Sequence, residues 1–463
     1  MELLLGGTCL ALIALLGYVA ISLILRPLHQ HWAELIGLSF AAGYGLLGIV
    51  LFDCSLAGLV PSRAILVCIA VVCAAALIAM RRTLALPQWP PRIKPKWGAR
   101  LILGIVAVLL LEAAVANAAA NCLTPGVADI DSFAIWMYKA KIVTAEALRP
   151  IPKFLLDPSL SYSHQDYPLG MPLVVAAMYS GIGRINELYG KVPLLAAYIS
   201  LVLVMYAALR RELNRATAAA VSAMLMAMPV LIANTGAAVA EVPLVLMHAC
   251  CLVLLLRWMQ IGGRRTLVAS AAFAAFAAFM KNEGLALLPL IGFAAVLFAL
   301  IRRKRELIFD WLTAAATSLF LIAPWLVYRR YLPHTHEDYG SKLTNIAMFL
   351  QNLPRLRQVL PMYVGQLWEL KTAGGIWMLL VLAAIVGWRA LGRLPALILW
   401  MILLAHLSLY LATYTISPWD LNTLIAMVGP KLLMHATPAA ALLIGLHFSA
   451  SQLAFTQEPL QSA

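Results

Sequence analysis

Runs of about 20 apolar residues recur from one end of this 463-residue chain to the other, each long enough to cross a hydrocarbon core of ~30 Å as a helix. Nothing else in the sequence constrains the fold so tightly. Inside lipid the backbone must satisfy its own hydrogen bonds, so only helices and closed barrels span. The runs fall at roughly 3–25, 35–56, 62–80, 101–120, 190–209, 216–233, 242–256, 266–280, 284–301, 309–328, 376–388, 395–415 and 431–449. The expected class is therefore all-α, a polytopic membrane protein with about 13 transmembrane helices. Charged residues make up only 12% of the chain, against about 25% in a soluble one. Segments 169–182 and 356–371 are apolar in part but short, and they are expected at the membrane interface.

The net charge of +14 does not indicate nucleic acid, because the basic residues sit in small clusters between apolar runs rather than along one stripe. They read instead as topology signals and contacts to anionic lipid. The clusters are Arg81-Arg82 with Arg92, Lys94, Lys96 and Arg100; Arg210-Arg211 with Arg215; Arg257 with Arg264-Arg265; Arg302-Arg303-Lys304-Arg305; and Arg389 with Arg393. All fall on one side, the cytoplasmic side, only if 169–182 does not cross, so that segment is expected as a re-entrant or surface helix. The expected organisation is a three-helix membrane segment at 1–82, a Pro-rich cytoplasmic linker at 83–100, a catalytic transmembrane module at 101–449 with exported loops 121–189 and 332–375, and a cytoplasmic tail at 450–463. The run from Leu3 to Leu25 lacks a basic leader and is too long for a signal core, so it reads as a retained helix. The seven cysteines show no metal-type spacing; Cys54 and Cys122 are the candidate pair for a disulfide, given a permissive compartment.

The face opposite the basic clusters gathers the chemistry. Asp129-Ile-Asp131-Ser-Phe-Ala-Ile-Trp136-Met-Tyr-Lys139-Ala-Lys141 and His164-Gln-Asp166-Tyr167-Pro168 form a polar, acid-bearing break in a chain that is otherwise almost all membrane. Ionisable groups at a membrane edge are costly to bury and hard to explain as packing. Phe133, Trp136, Ala140, Val143 and Ala147 share a helical face, which predicts an amphipathic helix over 132–148 lying on the membrane surface with Asp131 at its start. A cap accounts for one acid there, but not for both Asp129 and Asp131. Asp166 is a third acid, or a cap of the helix that follows. Glu241 stands at the outer end of a span, and Lys281-Asn282-Glu283-Gly284 lies between two spans. There Lys281 is either half of an ion pair with Glu283 or a cation for a phosphate. Arg329-Arg330 sit on the outer side, against the positive-inside bias, where they snorkel or hold an anionic head group. His334-Thr-His336-Glu337-Asp338 has metal-ligand residue types without metal-ligand spacing.

These motifs resemble the GT-C superfamily of polytopic glycosyltransferases, which includes the protein O-mannosyltransferases and the aminoarabinose transferases of lipid A. The segments that carry the resemblance are Asp131 to Lys141, His164 to Pro172, Lys281 to Gly284 and Ser417 to Pro438. The chain departs from the pattern at Lys431, where arginine is expected, and at Asn422-Thr423, where an aromatic-histidine pair is usual. The resemblance implies an enzyme of the bacterial cytoplasmic (inner) membrane that takes a sugar from a polyprenyl-phosphate donor to a glycan, lipid or protein acceptor on the periplasmic face. It also implies a catalytic base at Asp131, aided by Asp129, and the residues themselves add Asp166 as a further catalytic support. His164, Tyr167, Lys139, Glu241, Lys281, Glu283, Arg329, Arg330 and Lys431 are then the expected substrate-binding residues. No cofactor is required by these residues, and a divalent metal held by the aspartates is left open. Chemistry agrees with this assignment, since glycosyl transfer needs a base for the acceptor hydroxyl and cations or directed donors for the departing phosphate. A transporter or flippase of a lipid-linked glycan is the competing reading. It calls for charges near the bilayer midplane, for which Glu112 and His248 are the candidates. A non-catalytic scaffold would not need acids gathered in one exported loop.

Overall fold

The computed structural model describes residues 1–25, 30–84, 87–89, 98–127, 129–333 and 339–456. Arg92, Lys94 and Lys96 of the linker and the His334 to Asp338 motif lie outside the described residues. The described chain is helical throughout, apart from a parallel pairing of Gln30–His31 with Pro87–Gln88. Ten of the described helices are long and apolar enough to cross a membrane, or 11 if one bent pair counts as a span. The chain is a polytopic membrane protein.

The expected 13 spans differ from this count at three places, each with a physical reason. The run at 216–233 divides into Arg215–Met226 and Pro229–Gly236, bent by 59°, because Pro229 supplies no backbone N–H to continue the first helix. Ile376–Val386 has 11 residues and covers only about 16 Å at 1.5 Å per residue. Arg264–Met280 has 17 residues and falls just short of an independent span. Its Ala- and Phe-rich sequence is buried from Thr266 onward save for Val268.

The helices form two compact units, the first made of Met1–Arg92, Ala116–Val204 and Ala233–Thr335, the second of Ile93–Val115, Met205–Ile232 and His336–Ala463. The three N-terminal helices, Glu2–Ile24, Trp32–Leu56 and Arg63–Met80, pack within the first unit together with the segment 116–204. Phe52 shows how they are bound in. Its ring lies 5.4 Å from Phe279, 6.0 Å from Trp325 and 5.6 Å from Tyr328, edge-on to each, the arrangement that aromatic quadrupoles favour. Arg63 donates to the carbonyls of Gly181 at 3.1 Å and Ile182 at 2.7 Å. A guanidinium therefore caps the C-terminus of Gly170–Ile182, the end where a helix dipole is negative.

Gly170–Ile182 has 13 residues, too few to cross. It is not a surface helix, however, because 12 of its residues are buried inside the first unit. The segment after Asp131 is likewise covered by protein. It opens with a π-helical turn, Ser132–Trp136, and continues as Met137–Ala145. Trp136, Ala140 and Val143 of the expected apolar face are buried, while Phe133 is exposed. That face packs on Gly170–Ile182 rather than on lipid alone. Cys54 and Cys122 are both free thiols, so the disulfide does not form.

In the second unit, Leu394–Ile416 and Leu421–Thr456 pack side by side with Leu356–Leu367 and Ile376–Val386. The Tyr363 hydroxyl donates to the Leu407 carbonyl at 3.1 Å. His447 accepts from Trp400 at 3.0 Å and pairs its other ring nitrogen with the Gly387 carbonyl at 2.8 Å.

Candidate active site

Three aspartates were expected to work together, and the first unit gives them different tasks. Asp129 is the cap of the helix start, its Oδ1 accepting from the Ser132 backbone N–H at 3.2 Å. Asp131 makes no cap bond and is half-buried. The Ser132 hydroxyl donates to the Ala238 carbonyl at 3.1 Å, which ties this start to the turn just before Glu241. Asp166 is buried and its Oδ2 accepts from Arg329 Nη2 at 3.0 Å. Among the described residues no three His, Cys, Asp or Glu side chains gather as metal ligands, so Asp129, Asp131 and Asp166 do not make a cage.

The His164 turn is held from below by Lys139. That lysine is fully buried, and its ammonium donates to the carbonyls of His164 at 2.5 Å and Tyr167 at 3.2 Å. Burial pushes its pKa down to about 7, with the Asp166 carboxylate opposing the shift. His164 itself sits at φ 45°, a left-handed conformation that turns its carbonyl toward the lysine. The Tyr167 ring packs 5.9 Å from Trp136 and 4.6 Å from His164. Lys139 thus holds the turn by two of its carbonyls.

Two glycines bring the next motif against this one. A Cβ on Gly170 would come within 2.5 Å of the Phe279 carbonyl oxygen, and one on Gly284 within 2.1 Å of the Ala277 oxygen. Both sites accept only a hydrogen there, so the end of Arg264–Met280 lies directly against the start of Gly170–Ile182 and under the Lys281 turn. Lys281 is 7% exposed and its Nζ sits 2.9 Å from Glu241 Oε1 and 2.7 Å from Glu283 Oε1. Burial opposes its charge, but the two carboxylates overcome that and raise its pKa well above the ordinary value. The ion-pair reading of Lys281 therefore holds and extends to Glu241. An open phosphate cation at this position does not fit a charge already matched twice. The remaining cations are Arg329, which is partly exposed, and Arg330, which is exposed. Arg329 is steadied by its neighbour Tyr328, whose hydroxyl donates to the Leu148 carbonyl at 3.3 Å.

Lys431 lies in Leu421–Thr456 of the second unit. In the same unit the Ser417 motif has structural partners: Arg355 donates to the carbonyls of Ser417 and Trp419, and Asp420 caps the helix start by accepting from the Thr423 N–H and hydroxyl, each at 2.9 Å. Thr423, a departure from the family pattern, is accounted for by that cap.

One residue of the first unit was not foreseen. Lys191 is 1% exposed and donates to the carbonyls of Thr124 at 2.5 Å and Gly126 at 3.0 Å, pinning the loop that leads into Asp129. A lysine within an apolar run was its signal, since such a residue needs a partner.

Residues 166–328, about a third of the chain, match the family model described as dolichyl-phosphate-mannose-protein mannosyltransferase. The matched stretch contains Asp166, Tyr167, Glu241, Lys281 and Glu283 and bears out, over that stretch, the resemblance carried by the motifs. Among solved structures the chain is similar to ArnT from Cupriavidus metallidurans bound to undecaprenyl phosphate, at 17% identity and a TM-score of 0.49, over 74% of this chain and 60% of that one. The likeness thus spans less than two thirds of that protein's length. No curated protein matches the chain in sequence.

Proposed function

We propose that this protein is a glycosyltransferase of the cytoplasmic membrane. In this reading it moves a sugar from a polyprenyl-phosphate donor to a hydroxyl-bearing glycan, lipid or protein at the outer face. The observation that carries the reading is that one polar assembly, embedded in a membrane protein and overlapping the mannosyltransferase match, divides the required roles among separate side chains.

Asp131 takes the acceptor proton as the oxygen attacks the anomeric carbon. What supports it is its place at the opening of Ser132–Trp136, half-buried beside the bond that ties this start to the turn before Glu241. Arg329 and Arg330 face the phosphate as the carbon–oxygen bond to the sugar breaks and its second negative charge develops. Direct displacement puts the base and the leaving group on opposite sides of the ring, as in single-step glycoside chemistry. Lys139 and Lys191 contribute indirectly by fixing the two loops that carry the acids.

The transporter reading calls on Glu112, which is exposed on its helix, and on His248, which is buried within Glu241–Ile261. The test is donor turnover. Purified protein mixed with the sugar-lipid extract of its host membranes should release polyprenyl phosphate and glycosylate an acceptor. The same glycan should be missing from mass spectra of cell envelopes that lack the gene. Intact envelope glycans together with no lipid turnover would remove the proposal.

A further inference from the structure

The cluster of Glu241, Lys281 and Glu283 holds more acceptors than the protein fills. Lys281 uses one oxygen of each carboxylate. The other oxygen of each, Glu241 Oε2 and Glu283 Oε2, is buried without a donor among the described residues, and so is Oδ1 of Asn282, the residue after Lys281. Glu241 is 1% exposed, so bulk water does not solvate that carboxylate freely. A buried polar oxygen left without a donor is costly, and three in one cluster is a concentration that packing does not call for. The formal charge is also unbalanced, with one ammonium against two carboxylates.

From this geometry we infer that the cluster is the subsite for the sugar ring of the donor, with Glu241, Asn282 and Glu283 accepting hydrogen bonds from its hydroxyls. The inference rests on the proposed transferase reading and specifies it further. A phosphate is the wrong ligand here, since it brings acceptors and negative charge to a place that has a surplus of both. A sugar ring brings several O–H donors in fixed directions and no negative charge. Lys281 has a defined part. By joining the two carboxylates it orients their remaining oxygens and lowers their mutual repulsion, while Gly284 lets the turn sit directly on the Ala277 carbonyl. A site built to accept hydrogen bonds discriminates strongly against an analogue that lacks the donor groups, because its own buried oxygens are then left unpaired.

The experiment compares wild type with Glu241→Gln and Glu283→Gln, using the sugar-lipid extract as donor and sugar-free undecaprenyl phosphate as a competitive inhibitor. Turnover by wild type tests the transferase reading itself and is scored first. Each variant should raise donor KM about tenfold or more, with a smaller change in kcat, while the inhibition constant of undecaprenyl phosphate stays within about twofold. Glu283 is the less buried of the pair, so Glu283→Gln reads the subsite even where Glu241→Gln does not fold. A parallel rise in donor KM and in the inhibition constant would assign the cluster to the lipid phosphate or to general architecture. Unchanged donor KM in both variants would likewise overturn the inference.

Discussion

The two acids that open the first large loop look interchangeable in sequence and are not. Asp129 holds the Ser132 N–H, and a lost cap costs about 0.5–2 kcal/mol. Asp131 carries no such bond. The expected result is a crossed pattern. Asp129→Ala should lower the melting temperature of the solubilised protein and leave a modest loss of turnover. Asp131→Asn should lose about 10²–10⁴ in kcat with donor binding kept. If Asp131→Asn turned over normally, the base would have to be sought elsewhere. Asp166 would be a poor substitute unless it were released from Arg329.

At the level of elements, the most consequential contact is the one between Met137–Ala145 and the His164 turn. Lys139 makes it with two hydrogen bonds to carbonyls. A neutral amine has two N–H groups for these two acceptors, so the lowered pKa of about 7 agrees with the geometry. In the unfolded chain a lysine titrates near 10.4. Between about pH 7 and about pH 10 the unfolded state therefore binds the extra proton, and stability rises with pH across that window. Below about pH 7 both states are charged and the gain is gone. Thermal unfolding of wild type and Lys139→Met from about pH 6 to about pH 9.5 should show the difference moving in favour of wild type as pH rises. A pH-independent difference would mean that this lysine keeps its ordinary proton affinity when folded.

For the whole molecule, the short helix Gly170–Ile182 decides topology. At 13 residues it reaches only about 20 Å, so Glu187–Glu212 is the one span between position 150 and position 212. Single cysteines introduced at Pro150 and Glu212, in a background cleared of native thiols such as exposed Cys68, should label from opposite sides of the membrane. Labelling of both from one side would reverse the assignment of the polar assembly to the outer face. The same helix explains why the N-terminal helices are not an appendage. Arg63 caps its end, and Phe52 joins the aromatic group of Phe279, Trp325 and Tyr328.

The spans themselves were readable in order, because a hydrocarbon core admits only long apolar helices and leaves a length signature in any one segment. The break at Pro229 and the 11-residue length of Ile376–Val386 were not readable. A hydropathy run records composition and not where a helix bends or stops. Candidate residues were readable too, since a charged side chain beside a membrane is expensive wherever it occurs. Their roles were not. Asp166 meets Arg329 across 163 positions of sequence and Glu241 meets Lys281 across 40, so which charge is already neutralised depends on long-range contacts. The sequence by itself determined a many-helix membrane protein with acids and bases held at the edges of its spans. The tertiary structure alone decided that Lys281 is matched by two carboxylates, that Lys139 holds a turn and that Asp129 rather than Asp131 is the cap. Charge and hydrogen bonding are settled by what lies within a few ångströms in space, and neighbours along the chain are only some of those partners.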